Sequence, residues 1–163
     1  MKLQKIFILF TLFLALCTSN LYSMERVGRL GLGVSNQLQN GMPALSFKLQ
    51  KSKKLSFGGL LALDTDDNGG YGAGFKVFRN IFDEPQLNFY SAAMGAFTNQ
   101  KIKGAADKSG FQFDMTMGSE FSFTGLNSLG FSFEFGVSFY KIDDFAIATT
   151  GHSFITAGIH FYL

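Results

Sequence analysis

Six ionisable side chains stand at positions that an alternating β pattern turns to one face: Arg29, Lys48, Lys76, Glu120, Glu134 and His160. Apolar residues flank most of them. Phe47 and Leu49 border Lys48, Phe75 and Val77 border Lys76, and Phe133 and Phe135 border Glu134. Successive strand residues point to opposite sides, so in these segments charge faces one way and hydrocarbon the other. If the charged face is enclosed, each charge needs a partner. Pairing Arg29 and Lys76 with Glu120 and Glu134 gives an ion-pair network, with Lys48 and His160 beside it. Such a network is either a structural plug, the preferred reading, or the gate of a narrow polar pore.

Two other groups of residues could do chemistry. Asp64-Thr65-Asp66-Asp67-Asn68-Gly69 matches the first half of a calcium loop, with the oxygens of Asp64, Asp66 and Asn68 at alternate positions. The place that should supply a bidentate Glu holds Phe75. Half a motif favours a polar hairpin loop over a metal site, and no metal or cofactor is expected. His152 and Ser153 follow Asp143 and Asp144, which suggests a nucleophile and base. Adjacent strand residues face opposite ways, so the pair is a poor dyad, and no catalytic residue is expected.

The elements that must position these groups are strands. Leu129 to Tyr140 reads LGFSFEFGVSFY: Leu129, Phe131, Phe133, Phe135, Val137 and Phe139 alternate with Gly130, Ser132, Glu134, Gly136, Ser138 and Tyr140. Its 12 residues are about twice the usual globular strand of roughly 5–6. They meet the roughly 9–11 that a tilted strand needs to cross a bilayer. The same alternation predicts strands over Val27–Ser35, Met42–Gln50, Leu55–Leu63, Tyr71–Phe78, Gln86–Phe97, Phe111–Phe123 and His152–Leu163. Connections are short at Lys51–Lys54, Asn80–Pro85 and Thr124–Ser128, and long at Thr98–Gly110 and Lys141–Gly151. Eight strands with Phe-rich outward faces predict an all-β fold, an eight-stranded antiparallel up-and-down transmembrane β-barrel. Eight is also the number at which inward side chains just fill the interior. Short turns on the periplasmic side and longer outer loops put both termini in the periplasm. The rival is a soluble secreted, lipocalin-like barrel. Against it stand the Gly, Ala and Ser of the polar faces and their low charge, which suit a narrow lumen better than a wet surface.

The first residues do not belong to this pattern. Lys2 and Lys5 precede an apolar run of 12 residues, Ile6 to Cys17. That is short of the roughly 20 residues of a membrane-spanning helix and fits a secretory signal peptide. Residues 1–23 are read as that signal and 24–163 as the barrel domain, with Ser23 before the cut and Ser19 as a second site. Leu14-Ala15-Leu16-Cys17 resembles a bacterial lipobox, but Leu16 is large where a small residue is usual. Cys17 is the chain's single cysteine, so ordinary cleavage leaves no thiol for a disulfide, catalysis or metal. The 14 basic and 12 acidic residues balance once Lys2 and Lys5 are removed. No basic stripe suggests nucleic acid.

This pattern resembles the small eight-stranded outer-membrane barrels of the OmpA transmembrane-domain and OmpX type, over nearly the whole mature chain. In that family the last strand is the assembly signal. Ile155, Ala157, Ile159 and Phe161 match it, whereas Leu163 stands where an aromatic residue is usual. The resemblance implies outer-membrane localisation, contact with outer-membrane lipids and lipopolysaccharide, engagement of the barrel assembly machinery through the last strand, and a monomer. It implies a non-enzymatic protein of the envelope, for stability or adhesion through surface loops. A narrow pore for small solutes and a barrel enzyme that modifies lipid A acyl chains are the alternatives. No peptidoglycan-binding domain is expected after the eighth strand.

Overall fold

A computed structural model of the chain describes residues 26–104, 106–151 and 155–163. The described residues form nine strands: β1 Leu30–Ser35, β2 Ala44–Gln50, β3 Leu55–Asp64, β4 Gly70–Glu84, β5 Leu87–Gln100, β6 Lys108–Phe121, β7 Leu129–Lys141, β8 Phe145–Thr149 and β9 Ile155–Tyr162. Consecutive strands from β1 to β7 pair antiparallel. β7 pairs β9, and β9 pairs β1, which closes the sheet. The result is an eight-stranded antiparallel barrel whose eighth place is shared by β8 and β9. Val137 of β7 faces Thr149 of β8, and Phe135 faces Ile155 of β9. Between those points β7 advances two residues while the other chain advances six.

The barrel is inside-out relative to a soluble domain. Leu45 is 69% exposed and Phe75 56%, whereas Lys48 is 2% exposed and Asp114 0%. Period two explains it, because each strand sends hydrocarbon out and small or polar groups in. Inward glycines make the lumen narrow enough to fill. A methyl group on Gly118 would lie 2.6 Å from Cγ of Glu134, and one on Gly130 would lie 3.0 Å from the Tyr162 ring. The Phe faces stack across strands, as Phe121 does on Phe131 and Phe133 at 5.7 and 5.8 Å between centroids.

Several strand ends differ from the sequence expectation. The segment Asn80–Pro85 is not a turn. β4 continues to Glu84 past a bulge, since Asn80 pairs with Tyr90 and Phe82 with Phe89, which leaves Ile81 extra. One extra residue interrupts the alternation and disguises the strand. The long loop expected at Lys141–Gly151 is a tight hairpin, with Lys141 opposite Phe145. The loop Thr98–Gly110 shrinks to residues 101–107, because β5 and β6 run on as polar strands joined by Asn99 Nδ2 donating to Ser109 Oγ at 3.0 Å. One end of the barrel, here called proximal, holds Arg26, Leu163 and the connections 51–54, 85–86 and 122–128. The distal end holds 36–43, 65–69, 101–107 and 142–144. The contrast between long and short connections is therefore weaker than the sequence suggested.

Candidate functional site: the lumen

Five of the six expected residues line the lumen, and Arg29 does not. Arg29 lies at the proximal rim. Its Nε donates to the Leu163 carbonyl at 3.0 Å, and its Nη2 donates to the Tyr162 carbonyl at 2.7 Å and to Ser128 Oγ at 3.3 Å. The expected partner role falls instead to Arg26, which is 4% exposed. A turn at Val27–Gly28, with Gly28 at φ 84° and the Arg29 amide bonded to the Arg26 carbonyl at 3.0 Å, folds Arg26 back into the barrel. Arg29 has the right parity but precedes the wall, so it ties the rim rather than the interior.

The proximal half of the lumen is organised on two carboxylates. Glu120 of β6 accepts from Arg26, from Lys48 Nζ of β2 at 2.9 Å and from the Tyr162 hydroxyl of β9 at 2.8 Å. Glu134 of β7 accepts from Lys76 Nζ of β4 at 2.5 Å, from the Tyr90 hydroxyl of β5 at 2.9 Å and from Thr116 Oγ1 of β6 at 2.9 Å. Each carboxylate thus has three donors: those of Glu134 come from three strands, and those of Glu120 from two strands and the turn that carries Arg26. Aromatic faces complete the cation sites. Lys48 Nζ lies 4.6 Å from the ring centres of both Phe78 and Tyr90, and the Arg26 guanidinium lies 4.6 Å from that of Tyr162. Burial disfavours the charged guanidinium of Arg26, and Glu120 supplies its counter-charge. An arginine nonetheless stays protonated at any physiological pH.

His160 joins this region without pairing to a carboxylate, because its Nε2 is 2.8 Å from Ser46 Oγ. A third acid, Asp114, is fully buried above Glu134. It accepts from Gln37 Nε2 at 2.9 Å and from Gln112 Nε2 at 2.9 Å. Arg26, Lys48 and Lys76 therefore face Glu120, Glu134 and Asp114, a formally balanced set. Gln37 belongs to the connection 36–43, which dips into the lumen. Lys76 Nζ also donates to its Oε1 at 2.6 Å. Leu38, 0% exposed, packs with Ala44, Leu60, Ala62, Met94 and Ala96 as an apolar stopper on the distal side. The small void left beside Ser46, Lys48, Lys76, Tyr90 and His160 is about 10 Å³, roughly the space of a single water.

This barrel superimposes on a known one. The crystal structure of the N-terminal β-barrel domain of Pseudomonas aeruginosa OprF matches with a TM-score of 0.63, covering 84% of this chain and 98% of that one at 12% identity. The chain has the fold of the small eight-stranded outer-membrane barrels. At that identity the likeness is one of fold. No family model matches the sequence, and no curated protein matches it significantly.

Two oxygens of the expected half calcium loop are hydrogen-bonded to backbone amides. Asp64 Oδ1 accepts from the Asp66 amide at 3.0 Å, and Asn68 Oδ1 accepts from the Lys103 amide at 3.1 Å. The first bond is local to the loop, and the second ties the 65–69 connection to the next one. Among the described residues no three His, Cys, Asp or Glu side chains are placed to hold a metal. His152 and Ser153 lie outside the described residues, as do residues 1–25 with Cys17 among them. Of the groups missed from sequence, Asp114 was legible, since it shares the inward parity of Glu120. Arg26 and Gln37 precede and follow the alternating segment and carry no periodic signal.

Proposed function

We propose that the chain is an integral outer-membrane β-barrel protein, non-enzymatic and non-conducting, that serves the envelope as a closed wall element displaying its distal connections. The observation that carries this reading is an apolar exterior around a filled, charge-balanced lumen. Residues 1–23 would direct export, and β9 would present Ile155, Ala157, Ile159 and Phe161 to the barrel assembly machinery. Outer-membrane lipids would cover the outward Phe, Leu and Met side chains, and the protein would work as a monomer. Lipopolysaccharide or another surface partner would meet the distal connections. Lys103 pairs there with Asp67, and Lys108 with Asp143, which among the described residues leaves Lys101 and Lys141 as the cations for such a contact.

Two measurements test the proposal. Unboiled and boiled envelope fractions, compared on a detergent gel, should give an outer-membrane band that shifts on boiling. The purified barrel in a planar bilayer should give current at background. A soluble periplasmic protein with no shift would overturn the membrane reading. Steady single-channel steps would overturn the closed lumen and favour a pore.

A further inference from the structure

The barrel exterior holds a groove with a cationic end. β5 turns Ser91, Ala93 and Gly95 outward where neighbouring strands present larger side chains. A hollow of about 520 Å³ is left between Val77 of β4 and Met115 and Met117 of β6. Arg79 lines its proximal end, exposed, opposite Leu55 of β3 and Ser91 of β5. Lys53 and Lys54 are held beside it, because their carbonyls accept from Asn80 Nδ2 and the Asn80 amide, both at 2.9 Å. Among the described residues none of these three cations has an ion-pair partner. Asp83 and Glu84 lie beyond the bulge, at the tip of β4. A cation on the lipid-facing wall is costly in proportion to its depth, and a guanidinium offers a fork that matches a phosphate.

We propose that this groove binds one anionic phospholipid of the proximal leaflet. Arg79, Lys53 and Lys54 hold its headgroup, and one acyl chain lies against Val77, Ala93 and Met115. The inference rests on the membrane reading above. The test uses the full chain purified in detergent and titrated separately with phosphatidylglycerol and phosphatidylcholine, with bound lipid counted by native mass spectrometry. One phosphatidylglycerol should be retained in preference to phosphatidylcholine. Arg79→Ala should weaken it about fivefold, as expected for one cation near an anionic surface. Ala93→Trp should expel it by filling the groove while the boiling-dependent gel shift persists. Equal retention of the two lipids, or unchanged phosphatidylglycerol binding by Arg79→Ala in a barrel that still shifts, would overturn the lipid site alone. A chain that never shifts would overturn the membrane reading and the site with it.

Discussion

Glu134 accepts from Lys76, Tyr90 and Thr116 in a region closed to solvent. Glu134→Gln leaves the Lys76 ammonium buried without its counter-charge, at a cost of about 3–5 kcal/mol. The expected readout is a lower temperature for the boiling-dependent gel shift, with bilayer current still at background. Replacing the pair together, as Lys76→Met with Glu134→Leu, should recover much of that loss, since a packed apolar pair often matches a buried ion pair. Arg26→Ala and Arg29→Ala make a sharper comparison. The first removes a buried partner of Glu120, the second only a set of rim hydrogen bonds. Thermal melts in detergent should show the larger drop for Arg26→Ala. Parity alone gave the inward face of Lys48, Lys76, Glu120, Glu134 and His160. It could not say that His160 would meet Ser46, because alternation tells which side a residue faces and not what crosses the lumen to it. Arg26 escaped for a related reason, since a turn and not a strand delivers it.

The strands were legible where both faces were distinct and illegible where they were not. Leu129–Tyr140 was read almost to the residue, because every odd position is apolar. At Ile81–Phe82 two apolar residues follow one another, and the bulge that accommodates them looks like a turn in the sequence. β8 failed in the opposite way, because the polar residues around it outweighed the alternation of Phe145, Ile147 and Thr149 with Ala146 and Ala148. These elements predict how the wall tolerates deletion. Removing Ile81 takes out the unpaired residue and keeps Phe82 outward, so the heat-modifiable band should survive. Removing Ala93 from regular β5 slips the rest of that strand by one residue and exchanges its faces. That band should be lost, and a gel of folded yield for the two deletions decides the matter.

For the whole molecule, eight strands with hydrocarbon outside were written in the period and length of the segments. The stopper at Leu38 was not, since a non-periodic connection supplies it. Placing an arginine midway up the outer wall, as in Met115→Arg, should destabilise the barrel by about 2–4 kcal/mol in a bilayer. Lys101→Ala on a distal connection should change stability by no more than about 0.5 kcal/mol. Urea titration in lipid vesicles would separate them. The seam sets a further property, one of timing. β1 pairs with β9, and Arg29 grasps a carbonyl 134 positions away. The first strand must therefore wait, edge bare, until the last has been delivered. Contacts of such range make folding slow, and a bare edge recruits other chains. The interval between synthesis of β1 and arrival of β9 is when this protein most needs an escort, and a chain halted before Ile155 should be found aggregated or degraded rather than half inserted.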